Sequence, residues 1–138
     1  MSDSDEATMT KYSTSSGTVA KSETGSLIAA SKVEGTGVYN RRGESLGSVY
    51  DLMIDKRSGQ VAYAVMSFGG FLGMGQSYHP LPWDVLDYDE RQGGYVVDLE
   101  KERLQNAPSY GVNDTPDWSN RDYGRRINDY YGVPPREF

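Results

Sequence analysis

A chain of 138 residues with a net charge of −6 and no cysteine has room for one ordinary domain and its tails. The missing cysteines exclude disulfide frameworks, Cys-based zinc sites and thiol nucleophiles. Residues 27–107 hold 8 Lys or Arg against 11 Asp or Glu, so we do not expect the basic face of a nucleic-acid-binding protein.

The first 26 residues are rich in Ser and Thr and contain one branched aliphatic residue, Val19. They offer too little apolar surface to offset the entropy of ordering, which predicts a disordered tail over residues 1–26. A phosphorylated arm is the functional alternative. We see no apolar run of signal-peptide or transmembrane length and therefore expect a cytoplasmic protein without a transmembrane segment.

Short apolar runs separated by turns follow from residue 27 onward. Their spacing is typical of a mainly β fold, a small antiparallel barrel or sandwich. Gly43 and Gly59 stand where the turns need a residue that accepts positive φ. The third run is apolar on both faces, which places it in the middle of the sheet. The predicted strands span residues 38–39, 46–55, 60–68, 77–81, 85–88 and 94–99.

After the last predicted strand the pattern changes to that of a short helix. Residues 99–104 are good helix formers, Asp98 is a suitable N-cap, and Pro108 ends the segment. One or two helical turns here would plug a barrel mouth. The predicted organisation is therefore a tail over residues 1–26, a β domain over 27–107, and a linker with a C-terminal helix over 108–138.

The C-terminal region contains a second helical pattern, with an aromatic face. We predict Asp117 as its N-cap, and Gly132 with Pro134 as its stop. Aromatic residues at this density are typical of interface anchors, although the same face would also suit packing on the chain's own barrel. The candidate interaction residues of this region are Trp118, Tyr123, Ile127, Tyr130 and Tyr131.

The loop at residues 69–75 has four glycines in seven residues and is predicted to form a turn. A phosphate cradle would need a helix after the glycines, whereas a strand is predicted there. The large apolar residues of this loop are Phe71, Leu72 and Met74. They either fold back over the barrel or contact a partner.

Four motifs in this order and spacing resemble the PRC-barrel domain family. They are Gly-Ser-Val-Tyr-Asp-Leu-Met-Ile-Asp at 47–55, Ser-Gly-Gln-Val at 58–61, Phe-Gly-Gly-Phe-Leu-Gly at 68–73 and His-Pro-Leu-Pro-Trp-Asp-Val-Leu at 79–86. The family includes the cytoplasmic domain of the photosynthetic reaction-centre H subunit and, more distantly, the C-terminal barrel of the ribosome-maturation factor RimM.

This resemblance covers about residues 27–106 and implies a six-stranded antiparallel β-barrel with a short terminal helix. Members usually act as non-enzymatic binding modules. The family-motif positions in this chain are Gly47, Asp51, Asp55, Gly59, Pro82 and Trp83. The reaction-centre subunit has a transmembrane helix and the ribosome factor has a second barrel, and neither is seen here, so neither role transfers directly.

Few residues of the chain carry catalytic chemistry. His79 is the single histidine, and without a nucleophile or partner ligands at useful spacing it is predicted to be structural or merely exposed. Carboxylates could relay protons or hold a hard cation, but they would equally accept backbone N–H groups in turns or remain solvated. They are Asp51, Asp55, Asp84 and Asp87. We predict no enzyme, no cofactor and no metal.

Three functions remain to be distinguished. The leading hypothesis is an adaptor that binds another protein, including a second copy as a homodimer, through the Gly-rich loop and the aromatic helix. The second is RNA or ribosome association through two basic pairs, Arg41-Arg42 and Lys56-Arg57, which the acidic net charge disfavours. The third, by analogy with the reaction-centre subunit, is a peripheral accessory protein of a membrane electron-transfer complex.

Overall fold

The computed structural model describes residues 24–69 and 75–134. The predicted tail, up to residue 23, and the loop residues Phe71, Leu72 and Met74 therefore lie outside the described residues. The chain divides into two units, residues 1–34 and 35–138. In the first unit a single helical turn, α1 (Ala30–Val33), follows a turn in which the Thr24 hydroxyl accepts the Leu27 N–H at 3.0 Å.

The second unit is built on a mixed sheet of seven strands in the order β5-β6-β1-β2-β3-β4-β7. Strands β1 and β6 pair in parallel, and the other neighbours are antiparallel. The strands are β1 (Gly37–Asn40), β2 (Ser45–Ile54), β3 (Val61–Phe68), β4 (Ser77–Pro82), β5 (Asp87–Asp89), β6 (Gly94–Val97) and β7 (Tyr110–Gly111).

This sheet differs from the predicted six-stranded antiparallel barrel in three respects. It has a seventh strand, one parallel pair and, among the described residues, no pairing between β5 and β7 that would close it. The parallel pair arises because the β5–β6 hairpin returns beside the first strand after β2, β3 and β4 have built the sheet away from it. Strand β7 is not predicted, because two residues are too few for an alternating pattern.

The two predicted turn glycines adopt the expected conformation. Gly43 has φ of 84° and Gly59 has φ of 76°, both in the left-handed region. In the β1–β2 turn the buried Asn40 side chain accepts the backbone N–H groups of Arg42 and Glu44, each at 3.0 Å. In the β2–β3 hairpin the Gly59 N–H donates to the Asp55 carbonyl at 2.9 Å.

Strand β3 lies in the middle of the sheet, as its pattern predicts, with β2 and β4 on either side. Its pairing with β4 sets the two faces of the sheet. Met66 pairs with His79 on the inner face, and Tyr63 pairs with Pro82 on the outer face. The buried inner residues of these two strands are Ala64, Met66, His79 and Leu81.

Both predicted helices are present, but they start later than predicted. The first, α2, spans Lys101–Gln105, and the second, α3, spans Arg121–Tyr131. Asp98 does not cap α2, because the helix begins at Lys101 and the N-cap position is Glu100. The Asp98 carboxylate lies 3.6 Å from the Arg41 guanidinium instead. Asp117 does not cap α3, because its carboxylate accepts the Ser119 N–H and hydroxyl within a turn.

The actual N-cap of α3 is Asn120, whose side chain accepts the Asp122 N–H at 2.9 Å. The predicted stop is confirmed. Gly132 has φ of 69°, and the Val133 N–H donates to the Asn128 carbonyl at 2.9 Å. This is the geometry of a left-handed C-cap.

Gly47 allows β2 and β3 to approach each other closely. A Cβ at this position would stand 2.0 Å from the Ser67 carbonyl oxygen, which belongs to the paired strand. We expect Gly47→Ala to lower the free energy of unfolding by about 3 kcal/mol or more, measured by urea denaturation. Gly59→Ala, where the added Cβ would meet open space, should cost about 1 to 2 kcal/mol from positive φ alone. Equal losses would contradict the close approach.

Candidate functional site

Four aromatic side chains form a continuous line across the outer face of the sheet. We call Tyr50, Tyr78, Tyr110 and Trp118 the aromatic row. The ring centroids of Tyr50 and Tyr78 are 4.3 Å apart with the rings nearly parallel, those of Tyr78 and Tyr110 are 5.5 Å apart, and those of Tyr110 and Trp118 are 6.3 Å apart. These are distances of favourable aromatic contact, so the rings fix one another's orientation.

Strand irregularity and register place these rings together. In the β2–β3 ladder Val49 pairs with Met66 and Asp51 with Val65, so Tyr50 is the extra residue of a bulge. Tyr78 and Tyr110 pair directly across β4 and β7. Trp118 lies in the turn that precedes α3. The row therefore joins β2, β4, β7 and the C-terminal segment.

The C-terminal segment covers the rest of the outer face. Trp118 contacts Tyr63 of β3 with centroids 5.8 Å apart, and Tyr123 of α3 with centroids 5.5 Å apart. A Cβ on Gly124 would stand 2.8 Å from the Tyr63 hydroxyl, so α3 crosses β3 closely at this glycine. Ile127 is completely buried. Of the two alternatives for the aromatic helix, the structure shows packing on its own sheet.

The end of α3 is fastened to α2. The Arg103 guanidinium donates to the Tyr130 carbonyl at 2.5 Å, and the Tyr130 hydroxyl donates to the Arg103 carbonyl. The guanidinium also lies 4.4 Å from the centroid of the Tyr130 ring. The rings of Tyr130 and Tyr131 meet edge to face, and burial raises the pKa of the Tyr131 phenol. The predicted interaction residues of the helix are thus engaged within the chain.

Part of the aromatic row remains open to solvent. Tyr50 is 52% exposed. Two apolar side chains close to members of the row in the sequence are also exposed: Ile54 at the end of β2, 49% exposed, and Val112 after β7, 48% exposed. Asp51 is also exposed and pairs with Val65, which places it on the face of Tyr63. Burial raises the pKa of Tyr110 to about 12, and the negative charge of Asp51 is a smaller cause. The solvent-exposed end of the row therefore presents an aromatic ring and one carboxylate.

The predicted basic pair Arg41-Arg42 is surrounded by acids. Arg41 lies 3.6 Å from Asp98 and 3.9 Å from Asp87. Arg42 lies 2.9 Å from Glu44 and 2.6 Å from Glu100, and the hydrogen bond from Arg42 is the main cause that lowers the pKa of Glu44. These carboxylates compete with phosphate for both guanidinium groups.

His79 lies in the core rather than at a surface. Its Nε2 atom is 2.9 Å from the Ser77 hydroxyl, and the Phe68 ring meets it edge-on with centroids 5.3 Å apart. Its Nδ1 atom is buried and finds no hydrogen-bond partner among the described residues. Burial lowers the pKa of His79 to about 4, so the imidazole is neutral at pH 7.

Two of the four candidate carboxylates, Asp51 and Asp55, accept backbone N–H groups of residues close to them in sequence. Asp51 accepts the Leu52 N–H at 2.8 Å, and Asp55 accepts the Ser58 N–H at 2.8 Å within the β2–β3 hairpin. Within residues 24–69 and 75–134, no group of three or more His, Asp or Glu side chains is placed to hold a metal ion. In the same ranges no helix combines the length and apolar character needed to cross a membrane.

The last two family-motif positions lie at the turn between β4 and β5. Pro82 is buried at the end of β4, and Trp83 begins a 3-10 turn over Trp83–Val85. The Trp83 ring contacts Tyr95 of β6 with centroids 5.5 Å apart.

Sequence reasoning does not find the aromatic row. Local patterns assign Tyr50 and Tyr78 to strands without a further role, and they assign Tyr110 to no strand. An unusual abundance of 11 tyrosines is the available signal. The stacking of Tyr50 on Tyr78 joins two strands that are distant in sequence, and local patterns do not reveal such a contact.

The packing of α3 can be tested at Ile127, which is completely buried. We expect Ile127→Ala to lower the free energy of unfolding by about 2 to 5 kcal/mol, because it leaves a cavity between helix and sheet. Asp129→Ala, at an exposed position of the same helix, should stay within about 0.5 kcal/mol of the wild type. If urea denaturation showed no difference between the two variants, α3 would not be packed as described.

Acid should destabilise the fold through His79. An unfolded histidine titrates near pH 6.5, so between that pH and about 4 the unfolded chain binds a proton that the folded chain excludes. The contribution is present above pH 6.5 and is lost as the pH falls. Between pH 7 and pH 5 the wild type should lose about 1 to 2 kcal/mol more than His79→Leu, by urea denaturation at both pH values. An identical loss in the two proteins would rule out this contribution.

Comparison with known proteins identifies the family. The family model of the PRC-barrel domain matches residues 26–104, which is more than half of the chain. No curated protein matches the chain. The matched range includes six of the seven strands and most of α2, and it stops before β7 and α3. The chain therefore belongs to the PRC-barrel domain family.

Proposed function

We propose that this protein is a non-enzymatic, cytoplasmic protein-binding module that associates with a second copy of itself through the outer face of its sheet. The observation that carries the proposal is the open end of the aromatic row. Tyr50 is half exposed yet fixed in one orientation by stacking on Tyr78. A rigid, partly exposed aromatic ring loses little conformational entropy on binding, which is why such rings are common binding hot spots.

The surroundings of this ring suit a protein partner. Ile54 on the same strand and Val112 just after Tyr110 in the sequence are exposed apolar side chains, and Asp51, next to Tyr50 in the sequence, is an exposed charge. Apolar and aromatic surface with a polar rim is the usual composition of protein interfaces. Because α3 packs on its own sheet, we move the proposed contact from the aromatic helix to the strand side of the row.

The charge distribution favours protein over RNA as the ligand. Arg41 and Arg42 each have two carboxylates within 4.0 Å. An RNA phosphate would have to displace these ion pairs, and the net charge of −6 would repel it.

The proposal predicts a reversible homodimer that depends on the open end of the row. We expect the double variant Tyr50→Ser/Ile54→Ser to raise the dimer dissociation constant at least tenfold, because it removes the aromatic anchor and a flanking apolar contact. Sedimentation equilibrium over a wide concentration range measures this constant.

A matched control removes an exposed tyrosine elsewhere. Tyr88 is 37% exposed on β5, at the other end of the sheet, and its ring contacts Tyr95 of β6. The Tyr88→Ser variant should dimerise like the wild type. A monomeric wild type at every concentration, or equal losses in the two variants, would contradict the proposal.

A further inference from the structure

We propose that Tyr50 and Asp51 form a binding site for a guanidinium group, and that Arg57 of a second copy occupies this site. The pairing rests on the proposed self-association, for which it names the side chains that meet across the dimer. Three features carry it: the faces of strand β2, the way arginines contact tyrosines elsewhere in the chain, and the spacing of charges around Ile54.

The bulge in β2 places Tyr50 and Asp51 on the same face of the sheet. Val49 pairs with Met66, whose side chain is buried on the inner face, so Tyr50 points outward by ordinary alternation. In a regular strand Asp51 would then point inward, but it pairs with Val65, which points to the opposite face from Met66. An aromatic ring and a carboxylate are therefore neighbours on the outer face.

One face of the Tyr50 ring is open to a ligand. Tyr78 covers the other face, with the ring centroids 4.3 Å apart and the planes inclined by 19°. Tyr50 is nevertheless half exposed, and among the described residues no second aromatic ring or guanidinium contacts it. The face of an aromatic ring carries partial negative charge and attracts cations. The open ring face and the neighbouring Asp51 carboxylate therefore suit a cationic group.

Arginine is the cation that this chain already places on tyrosine rings. The Arg103 guanidinium lies 4.4 Å from the centroid of the Tyr130 ring, and the Arg126 guanidinium lies 5.6 Å from the centroid of the Tyr123 ring. A guanidinium is planar and weakly hydrated, so it can stack on a ring and bind a carboxylate at the same time. An ammonium group lacks this planar shape. A ring beside a carboxylate therefore favours arginine over lysine.

Asp51 and Arg57 are exposed charges of opposite sign. The Asp51 carboxylate accepts the Leu52 N–H, and the charge of Arg57 is the smallest of the causes that lower the pKa of Asp55. Within the described part of the chain, neither Asp51 nor Arg57 forms an ion pair. The other basic pair, Arg41-Arg42, is surrounded by carboxylates. Arg57 is thus available to a partner in a way that this pair is not.

The two charges of one copy are too far apart to pair with each other. The β2–β3 ladder continues to Asp55, whose N–H donates to the Gln60 carbonyl at 2.8 Å, and Arg57 lies in the loop beyond that point. Four residues of strand separate Asp51 from Asp55, which corresponds to about 14 Å. An arginine and an aspartate side chain together span less than this distance. The partner of Asp51 must therefore come from another copy.

The position of Ile54 makes this pairing compatible with two-fold symmetry. In a two-fold dimer each contact occurs twice, with the roles of the copies exchanged. Two β2 strands related by an axis perpendicular to them run antiparallel, so residues equally far from the axis on opposite sides meet. Asp51 lies three residues before Ile54 and Arg57 three residues after it. An axis at the half-exposed Ile54 therefore brings Arg57 of each copy towards Asp51 of the other.

Charge exchange on full-length chains tests the pairing. Asp51→Arg and Arg57→Asp should each raise the dimer dissociation constant about tenfold or more, because each places like charges in both contacts. The double variant Asp51→Arg/Arg57→Asp should dimerise nearly as well as the wild type, since opposite charges face each other again. An equal mixture of the two single variants should do the same, because a mixed pair joins opposite charges in both contacts.

Sedimentation velocity of each variant and of the mixture gives the dissociation constants. Arg91→Asp reverses an exposed charge in the β5–β6 turn and, as the control, should leave the constant unchanged. Arg57→Lys keeps the charge without the planar group and should weaken the dimer less than Arg57→Asp. Asp51→Asn keeps an oxygen that can accept the Leu52 N–H, so its weaker dimerisation would report the lost charge. Urea denaturation of the dilute proteins should show the same midpoint for all variants.

The outcomes distinguish this pairing from the self-association itself. If the wild type dimerises but neither single charge reversal weakens the dimer, the pairing of Asp51 with Arg57 is overturned and self-association stands. If the double variant recovers dimerisation but the mixture does not, the two charges interact within one copy, and the pairing between copies is overturned. It is overturned as well if neither recovers. A wild type that stays monomeric at all concentrations overturns both proposals.

Discussion

The packing of the C-terminal segment on β3 is the contact on which the rest of the structure depends. Strand β3 is apolar on both faces, with Met66 directed inward and Tyr63 outward. The inner face is buried by the sheet's own core, whereas the outer face is covered by Trp118 and by α3 at Gly124. Without this cover a central strand would expose apolar surface on one side, at a free-energy cost set by the uncovered area.

The same contact determines where a partner can bind. Since Ile127 is buried and Tyr130 is fastened to Arg103, the aromatic face of α3 is committed to its own chain. The open aromatic surface lies instead at Tyr50, which stacks on Tyr78 on the outer face. The C-terminal segment beyond the matched family range thus covers part of the outer face of the sheet and leaves one end of the aromatic row free.

Local sequence signals predict most of the strands and turns. The alternation of apolar residues locates six strands within a few residues, and Gly43, Gly59 and Gly132 adopt the expected positive φ. Features set by distant contacts are not predictable in this way: the parallel β1–β6 pair, the bulge at Tyr50 and the ion pair between Arg41 and Asp98. The aromatic helix is predicted. Whether it packs on its own sheet or on a partner depends on the contact between Tyr63 and Gly124, which come together only in the folded chain.

Native-state hydrogen exchange tests the central claim most directly. If α3 is an integral part of the folded unit, its backbone amides should become exposed only when those of β3 do, with the same free energy of opening and the same dependence on denaturant. The account predicts matched protection of Arg121–Tyr131 and Val61–Phe68 apart from the fraying first turn of the helix. Amides of α3 that exchange rapidly while β3 remains protected would contradict it.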